Sequence, residues 1–347
     1  MTAYKPPLEG RMLKEYLLLD FNEMTIKPSP KVREALTKYI NAGSLQTYPG
    51  YGDLDLKVAH YSGVNSSEVM VTNGSDQAID IIMRAFLGNK DRVIIPTPTF
   101  AMFYQSAHIQ GAEILEPLYR KNDLSFPFEE TLSLIDESVK LLVICNPNNP
   151  TGTSVSRQKM LQLLEKAQTN DVAVLHDEAY FEFSGITLVD ILNDFENLFI
   201  TRTFSKQFGL ASIRAGYLLS QEQNIEQLLK IRGPYDVNMF AKTAIIAALN
   251  DVEYAKKYLS EIMEKSKPKL EEYLRKNRIA FYPSDANFIL INPDDSQKFF
   301  DYFKKEGILI RPREGPHIEG TIRISIGTVQ DTDRFIKVYS QFLKNDN

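Results

Sequence analysis

The sequence predicts an α/β fold: a large unit built on a mostly parallel seven-stranded sheet, and after it a smaller α+β unit. Three observations point there. Between Glu68 and Tyr217 short β-rich apolar runs recur, with helical patterns between most of them. The runs are apolar throughout rather than alternating, which suits strands covered on both faces. After about Asn238 the spacing changes to longer helices and a few scattered strands. The expected boundaries are residues 1–44 for an N-terminal arm that also joins the small unit, 45–240 for the large unit and 241–347 for the small one.

In chain order, the arm carries Pro6, Pro7, Pro28 and Pro30, one apolar run, LLLDF, and a short helical pattern, KVREALTKYI. Asn22 ends the apolar run, where a side chain can leave a strand terminus. The loop SLQTYPGYGD comes next, with the hydroxyls of Tyr48 and Tyr51. The seven strand candidates are EVMVTN, DRVIIP, AEILEP, KLLVICNP, VAVLHDEAY, LFITRTF and AGYLLS. Helices are expected at SDQAIDIIMRAFL, FAMFYQSAHIQ and SRQKMLQLLEKAQ, the last with Met160, Leu161, Leu163 and Leu164 on one side. In the small unit FAKTAIIAALND reads as helix, as does a mixed-charge stretch from Val252 to Lys276, broken near Pro268. A strand, ANFILINP, a helix, SQKFFDYFKKEG, a strand pair around ILIRPR and GTIRISIGT, and a final helix complete the chain.

The composition narrows the ligands. Across 347 residues, 40 basic against 45 acidic side chains give a formal charge of -5. That offers no electrostatic reason to expect nucleic acid or an anionic membrane as partner. The single cysteine, Cys145, rules out an internal disulfide and a cysteine-rich zinc site. The four histidines show no ligand spacing, so no metal is expected. With no run of roughly 18 apolar residues and no signal-like N-terminus, the expected setting is a reducing cytoplasm.

Ligands of such sheets sit outside the carboxyl ends of the strands, so the polar residues that end these runs should converge. The first run ends in Asn73, Gly74, Ser75 and Asp76 just before a helix, with Ser75 as the expected N-cap and the helix amides as an anion site. The fourth ends in the turn NPNNPTG, containing Asn149. The fifth gives Asp177 and Tyr180, with His176 pointing the other way. The sixth leads into an exposed loop with Ser205, Lys206 and, eight residues on, Arg214. An amine, a carboxylate, an anion-binding helix end and an arginine at one sheet edge together meet the needs of pyridoxal phosphate (PLP). That cofactor requires a Schiff-base lysine, a partner for its ring nitrogen and donors for its phosphate, an arrangement already known as its general pattern.

The segments LDFNE, TYPGY, TNGSDQAI, PTPTFAMF, NPNNPTG, DEAY, RTFSKQFGLASIRAGY, PYDVN, ANFIL and IRISIGT succeed one another from about residue 19 to 328. In this the chain resembles the fold type I aminotransferases and, among them, the histidinol-phosphate aminotransferase family. The resemblance implies that Lys206 forms the Schiff base and shuttles the proton at the substrate carbon. It also implies that Asp177 pairs with the ring nitrogen, that Asn149 and Tyr180 contact the ring oxygen, and that Phe100 stacks on the ring. Gly74, Ser75, Asp76, Ser205 and Arg214 would hold the phosphate, with Tyr48 reaching the phosphate site of a second subunit, hence a homodimer. The Asn149–Pro150 bond is expected to be cis. Arg323 would bind the substrate anion, assisted by Arg311, Asn22 and Arg313 at the distal group.

The activity that the resemblance implies is transamination by a ping-pong mechanism, from histidinol phosphate or a related amino donor to 2-oxoglutarate. Two segments depart from the family pattern, FNEMTIKPSP and RPREGPHIEGTIR, the latter with His317 and Glu319, and both bear on the substrate pocket. They leave an aromatic amino acid aminotransferase, a specialised secondary-metabolism transaminase and a decarboxylase of a phosphorylated amino acid as alternatives.

Overall fold

A computed structural model describes residues 10–11 and 15–345 of the chain. The seven apolar runs form one sheet from β2 (Val69–Thr72), β3 (Arg92–Ile94), β4 (Glu113–Leu115), β5 (Val139–Cys145), β6 (Ala173–Asp177), β7 (Leu198–Thr203) and β8 (Gly216–Leu219). Their order is β2-β8-β7-β6-β5-β3-β4, all parallel except β8, which is antiparallel to both neighbours. Every residue of β2, β6, β7 and β8 is buried, the reason these runs lack alternation.

Helices cover both faces. The helix Ser75–Phe86 buries Ala78, Ile79, Ile81, Ile82 and Met83 against one face, and Arg157–Thr169 buries Met160, Leu163, Leu164 and Ala167 against the other. Leu161, expected on the inner stripe, is only half-buried; Ala167 completes the i, i+3, i+4, i+7 set instead. Burying one such leucine contributes on the order of 2 kcal/mol.

A second sheet, in the order β12-β13-β10-β9, joins Arg311–Pro312, Ile322–Ser325, Phe288–Ile291 and Phe281–Tyr282; the β9 strand lies outside the expected set. From the arm, β1 (Leu17–Leu18) pairs in parallel with β11 (Ile308–Leu309), and Ser325 N–H donates to the carbonyl of Leu19 at 2.9 Å. Asn22 is thereby carried to the edge of the second sheet. An aromatic core of Phe299, Phe303, Phe335 and Tyr339 lies behind it.

Three expectations need correction. The helix from Val252 to Lys276 does not break at Pro268: a π-helical turn at Glu261–Ser266, with Lys267 N–H bonded to Ile262, carries the axis through a backbone that lacks one donor. Gly74, not Ser75, caps the helix after β2, because φ 77° at the cap suits glycine. The turn that carries Lys206 is packed rather than exposed, since Phe204 and Phe208 on either side are buried in the core.

Candidate active site

The strand ends converge. A cleft of about 660 Å³ outside the carboxyl ends of the large sheet is lined by Ser75, Asp76, Phe100, Cys145, Asn149, Asp177, Tyr180, Ser205, Lys206 and Arg214, among others. A smaller pocket shares Phe21, Phe100, Asn149, Tyr180 and Lys206 with it and continues to Asn22, Arg311, Arg313 and Arg323. Lys206 stands where the two meet.

Lys206 Nζ donates to the carbonyl of Phe21 at 3.0 Å and lies 5.6 Å from the centre of the Tyr180 ring. Burial, with Arg323 second, lowers its pKa to about 8. A reactive amine is thus available near neutral pH.

Asp177 ends β6. Oδ1 accepts from Thr201 Oγ1 at 2.9 Å, and the thiol of Cys145 lies 3.6 Å from Oδ2. Burial raises its pKa to about 6. Among the described residues no cation forms a salt bridge with it, so a buried carboxylate faces the cleft with only neutral partners. A protonated pyridine nitrogen answers that need, and on this observation the site fits PLP. His176, one residue back, points to the opposite face, 3.6 Å from Glu178, and burial keeps it neutral.

Tyr180 is buried, accepts from Asn22 Nδ2 at 2.9 Å, and has its phenol pKa raised by that burial against a smaller lowering by Arg323. Asn149 sits in a turn held by side-chain amide bonds, among them Asn148 Nδ2 donating to Pro98 O at 2.9 Å, Asn148 Oδ1 accepting from Thr99 at 2.7 Å, and Asn146 Nδ2 donating to Val155 O at 3.1 Å. The Asn149–Pro150 bond is cis as expected, and Asn146–Pro147 and Thr97–Pro98 are cis as well.

The N-terminus of Ser75–Phe86, twelve residues long, opens on the cleft beside Ser205 and Arg214, a cradle that could hold an anion. Arg214 adopts φ 58°, and its Nη2 donates to Asp76 Oδ2 at 2.8 Å. The Asp76 side chain therefore orients the arginine, while its backbone amide remains available to an anion. Tyr48 lies away from this cleft, 79% exposed and stacked 4.5 Å from Tyr235.

At the far end Arg311 and Arg323 are register partners on β12 and β13. Asn22, at φ 56°, bonds through its N–H to Ser325 Oγ at 2.8 Å. Sequence reasoning missed Phe21, Thr203 and Cys145, which line the cleft. Apolar or small residues at strand ends carry no chemical signature; only their position next to Asn22, Ser205 and Asn146 could have drawn attention. Among the described residues no group of acidic, histidine or cysteine side chains could hold a metal, and no helix is long and apolar enough to cross a membrane.

The sequence pattern of aminotransferase class I and II matches residues 14–338. A histidinol-phosphate aminotransferase of Geobacillus is 38% identical over 96% of this chain and 91% of its own length. A dihydroxyacetone phosphate transaminase of Campylobacter jejuni is also 38% identical, over 94% of this chain and 90% of its own. In the same fold, the crystal structure of histidinol-phosphate aminotransferase from Sinorhizobium meliloti in complex with pyridoxal-5'-phosphate superposes with a TM-score of 0.89 over 100% of this chain and 96% of that one, at 22% identity. With a PLP-fitted cleft at the sheet edge and relatives matched along nearly its whole length, the chain belongs to the class I and II aminotransferases, and within them to the histidinol-phosphate aminotransferase family of fold type I PLP-dependent transaminases.

Proposed function

We propose that this transaminase takes its amino group from an O-phosphorylated 2-amino alcohol, histidinol phosphate first, and passes it to a 2-oxo acid such as 2-oxoglutarate. The observation that carries the reading is the cluster of Arg311, Arg313 and Arg323 around one small pocket that opens on Lys206. Three guanidinium groups suit a phosphate dianion better than one carboxylate. The names of the two relatives share this chemistry. Histidinol phosphate is an O-phosphorylated 2-aminopropanol, and amination of dihydroxyacetone phosphate yields another.

In this reading the helix N-terminus at Gly74–Asp76, Ser205 and Arg214 hold the cofactor phosphate, Asp177 its ring nitrogen, Asn149 and Tyr180 its ring oxygen, and Phe100 its ring face. When bound, PLP supplies an electron sink for the bond broken at the substrate carbon. The side chains do the rest. Arg323 and Arg311 orient the anionic end, Tyr180 and Phe100 exclude water from the reacting face, and the Lys206 amine would take the proton from the substrate carbon and deliver it to the cofactor side of the transferred nitrogen. Residues 45–240, joined by the helix Met239–Leu249 that packs into the same core, then serve as the cofactor unit, and the rest of 241–347, with the strand of the arm, as the substrate cover. Tyr48, with Leu45 58% and Tyr235 56% exposed, supports a homodimer in which Tyr48 serves the partner's site. A cytoplasmic setting agrees with the lone buried Cys145.

The deciding experiment records the absorption of the PLP-loaded protein during addition of histidinol phosphate, phenylalanine and glutamate in turn. Conversion of a band near ~420 nm to one near ~330 nm by histidinol phosphate at the lowest concentration supports the reading. Preference for phenylalanine, or carbon dioxide release without that conversion, overturns it.

A further inference from the structure

The loop between β12 and β13, which joins Arg311 and Arg313 to Arg323, meets the large sheet's unit at an apolar contact, Ile318 with Leu124, and through a side-chain hydrogen bond from His317. His317 sits at φ 64°, uncommon for a residue with a side chain. Its Nδ1 lies 2.7 Å from the carbonyl of Tyr119. A carbonyl only accepts, so Nδ1 carries the proton and donates.

Tyr119 is fixed in turn. Its ring is buried, and its N–H donates to the carbonyl of Thr97 at 2.8 Å. Thr97 begins the segment whose Thr99 and Phe100 line the pocket, and Thr99 is tied to Asn148. Within the loop Arg313 N–H donates to Thr321 O at 2.8 Å, and Ile318 packs with Leu290 of the second sheet and with Leu124 of the large unit, an apolar contact beside the His317 bond. The contacts form a chain from the arginines through the loop, Tyr119 and Thr97 to Phe100, and both ends of it line the pocket.

We propose that His317 is a positioning residue for substrate recognition, a latch that holds the arginine-bearing loop against the wall carrying Phe100 and so sets the width of the anion pocket. The inference rests on the reading of this pocket as the donor's anionic subsite. It predicts an effect on binding and not on the chemical step, because the bond touches neither Lys206 nor Asp177.

The test uses the full-length, PLP-loaded enzyme with His317→Asn, His317→Ala and His317→Gly. Asparagine presents an N–H where the imidazole has Nδ1–H and tolerates positive φ; glycine relieves the backbone but cannot donate. The expected result is a KM for histidinol phosphate raised about three- to tenfold in the alanine and glycine variants, the worth of one hydrogen bond, with kcat within roughly twofold. The asparagine variant keeps a KM near the parent's. Amide exchange across residues 313–321 accelerates in the alanine and glycine variants alone. An unchanged KM in the glycine variant, or an asparagine variant as impaired as alanine, overturns the latch. If the parent enzyme does not turn over histidinol phosphate, the donor reading fails by itself. Exchange then decides the latch: unchanged protection in the glycine variant overturns it.

Discussion

Arg323 and Asn149, 174 residues apart, are joined by a hydrogen bond: Nη1 of the arginine donates to Oδ1 of the asparagine, while Nη2 donates to the carbonyl of Asp20 at 2.7 Å. One guanidinium thereby spans the anion pocket, the NPNNPTG turn and the arm. A lysine offers a point charge without the planar fork, so it can satisfy one of these acceptors well but not both. Arg323→Lys should raise the KM for a phosphorylated donor at least about tenfold, the loss of roughly 1.5–3 kcal/mol from a charged hydrogen bond. Steady-state kinetics read it directly; a KM within twofold of the parent's would place the anion elsewhere.

Lys206 sets a pH dependence. With its pKa lowered to about 8 by burial and by Arg323, the apo-protein's amine is half deprotonated near that pH. Covalent uptake of PLP should accelerate as pH rises through about 8, whereas a solvated lysine would respond near ~10.4. Between the folded and unfolded values the unfolded chain binds the extra proton, so this group's contribution makes the apo-protein more stable as pH rises from about 8 toward 10.5. Arg323→Gln should move the uptake midpoint upward. Stopped-flow absorbance across pH 6–10 (a range of about four units) checks both, and a midpoint unmoved by that substitution would remove Arg323 from the account.

Gly74 tests the cradle. At φ 77° an added Cβ would lie 2.5 Å from Arg214 Nη2, so alanine both strains the turn and displaces the arginine. At φ 77° and ψ 163° the backbone lies in a region that is essentially glycine's alone, and a side chain there costs roughly 1–3 kcal/mol. Gly74→Ala should weaken PLP binding by about tenfold or more, measured by titration of the apo-protein, with the far-ultraviolet circular dichroism unchanged. Undiminished affinity would show that Arg214 does not hold the phosphate.

Glu178, beside Asp177, carries stability rather than chemistry. Its carboxylate takes Arg202 Nε at 2.8 Å, Leu188 N–H at 2.8 Å and Thr187 Oγ1 at 2.9 Å, with Glu178 fully buried and Arg202 nearly so. Removing one partner of such a pair strands the other charge, a loss of roughly 3–5 kcal/mol. Glu178→Ala should lower the unfolding free energy by that amount in a denaturant titration, and a change below about 1 kcal/mol would mean that water reaches Arg202.

The large sheet was legible because most of its strands, β2, β6, β7 and β8 throughout, are buried on both faces and several end in a polar cluster, signals that local composition carries. Lys206, Asp177, Asn149 and the glycine-led helix start could be named from the sequence for the same reason: each sits at a strand end, and a parallel sheet brings its strand ends together. The cap at Gly74 and the unbroken axis at Pro268 were missed because both depend on backbone angles, which packing sets. Likewise the burial of the Lys206 turn, the neutral surroundings of Asp177 and the pinning of His317 to Tyr119 arise between segments far apart in the chain. What the sequence by itself determined is the sheet, its ligand edge and the family's cofactor chemistry. What only the tertiary structure decided is the electrostatic setting of each group and the shape of the anion pocket, because desolvation and cross-chain hydrogen bonds exist only once distant residues share one interior.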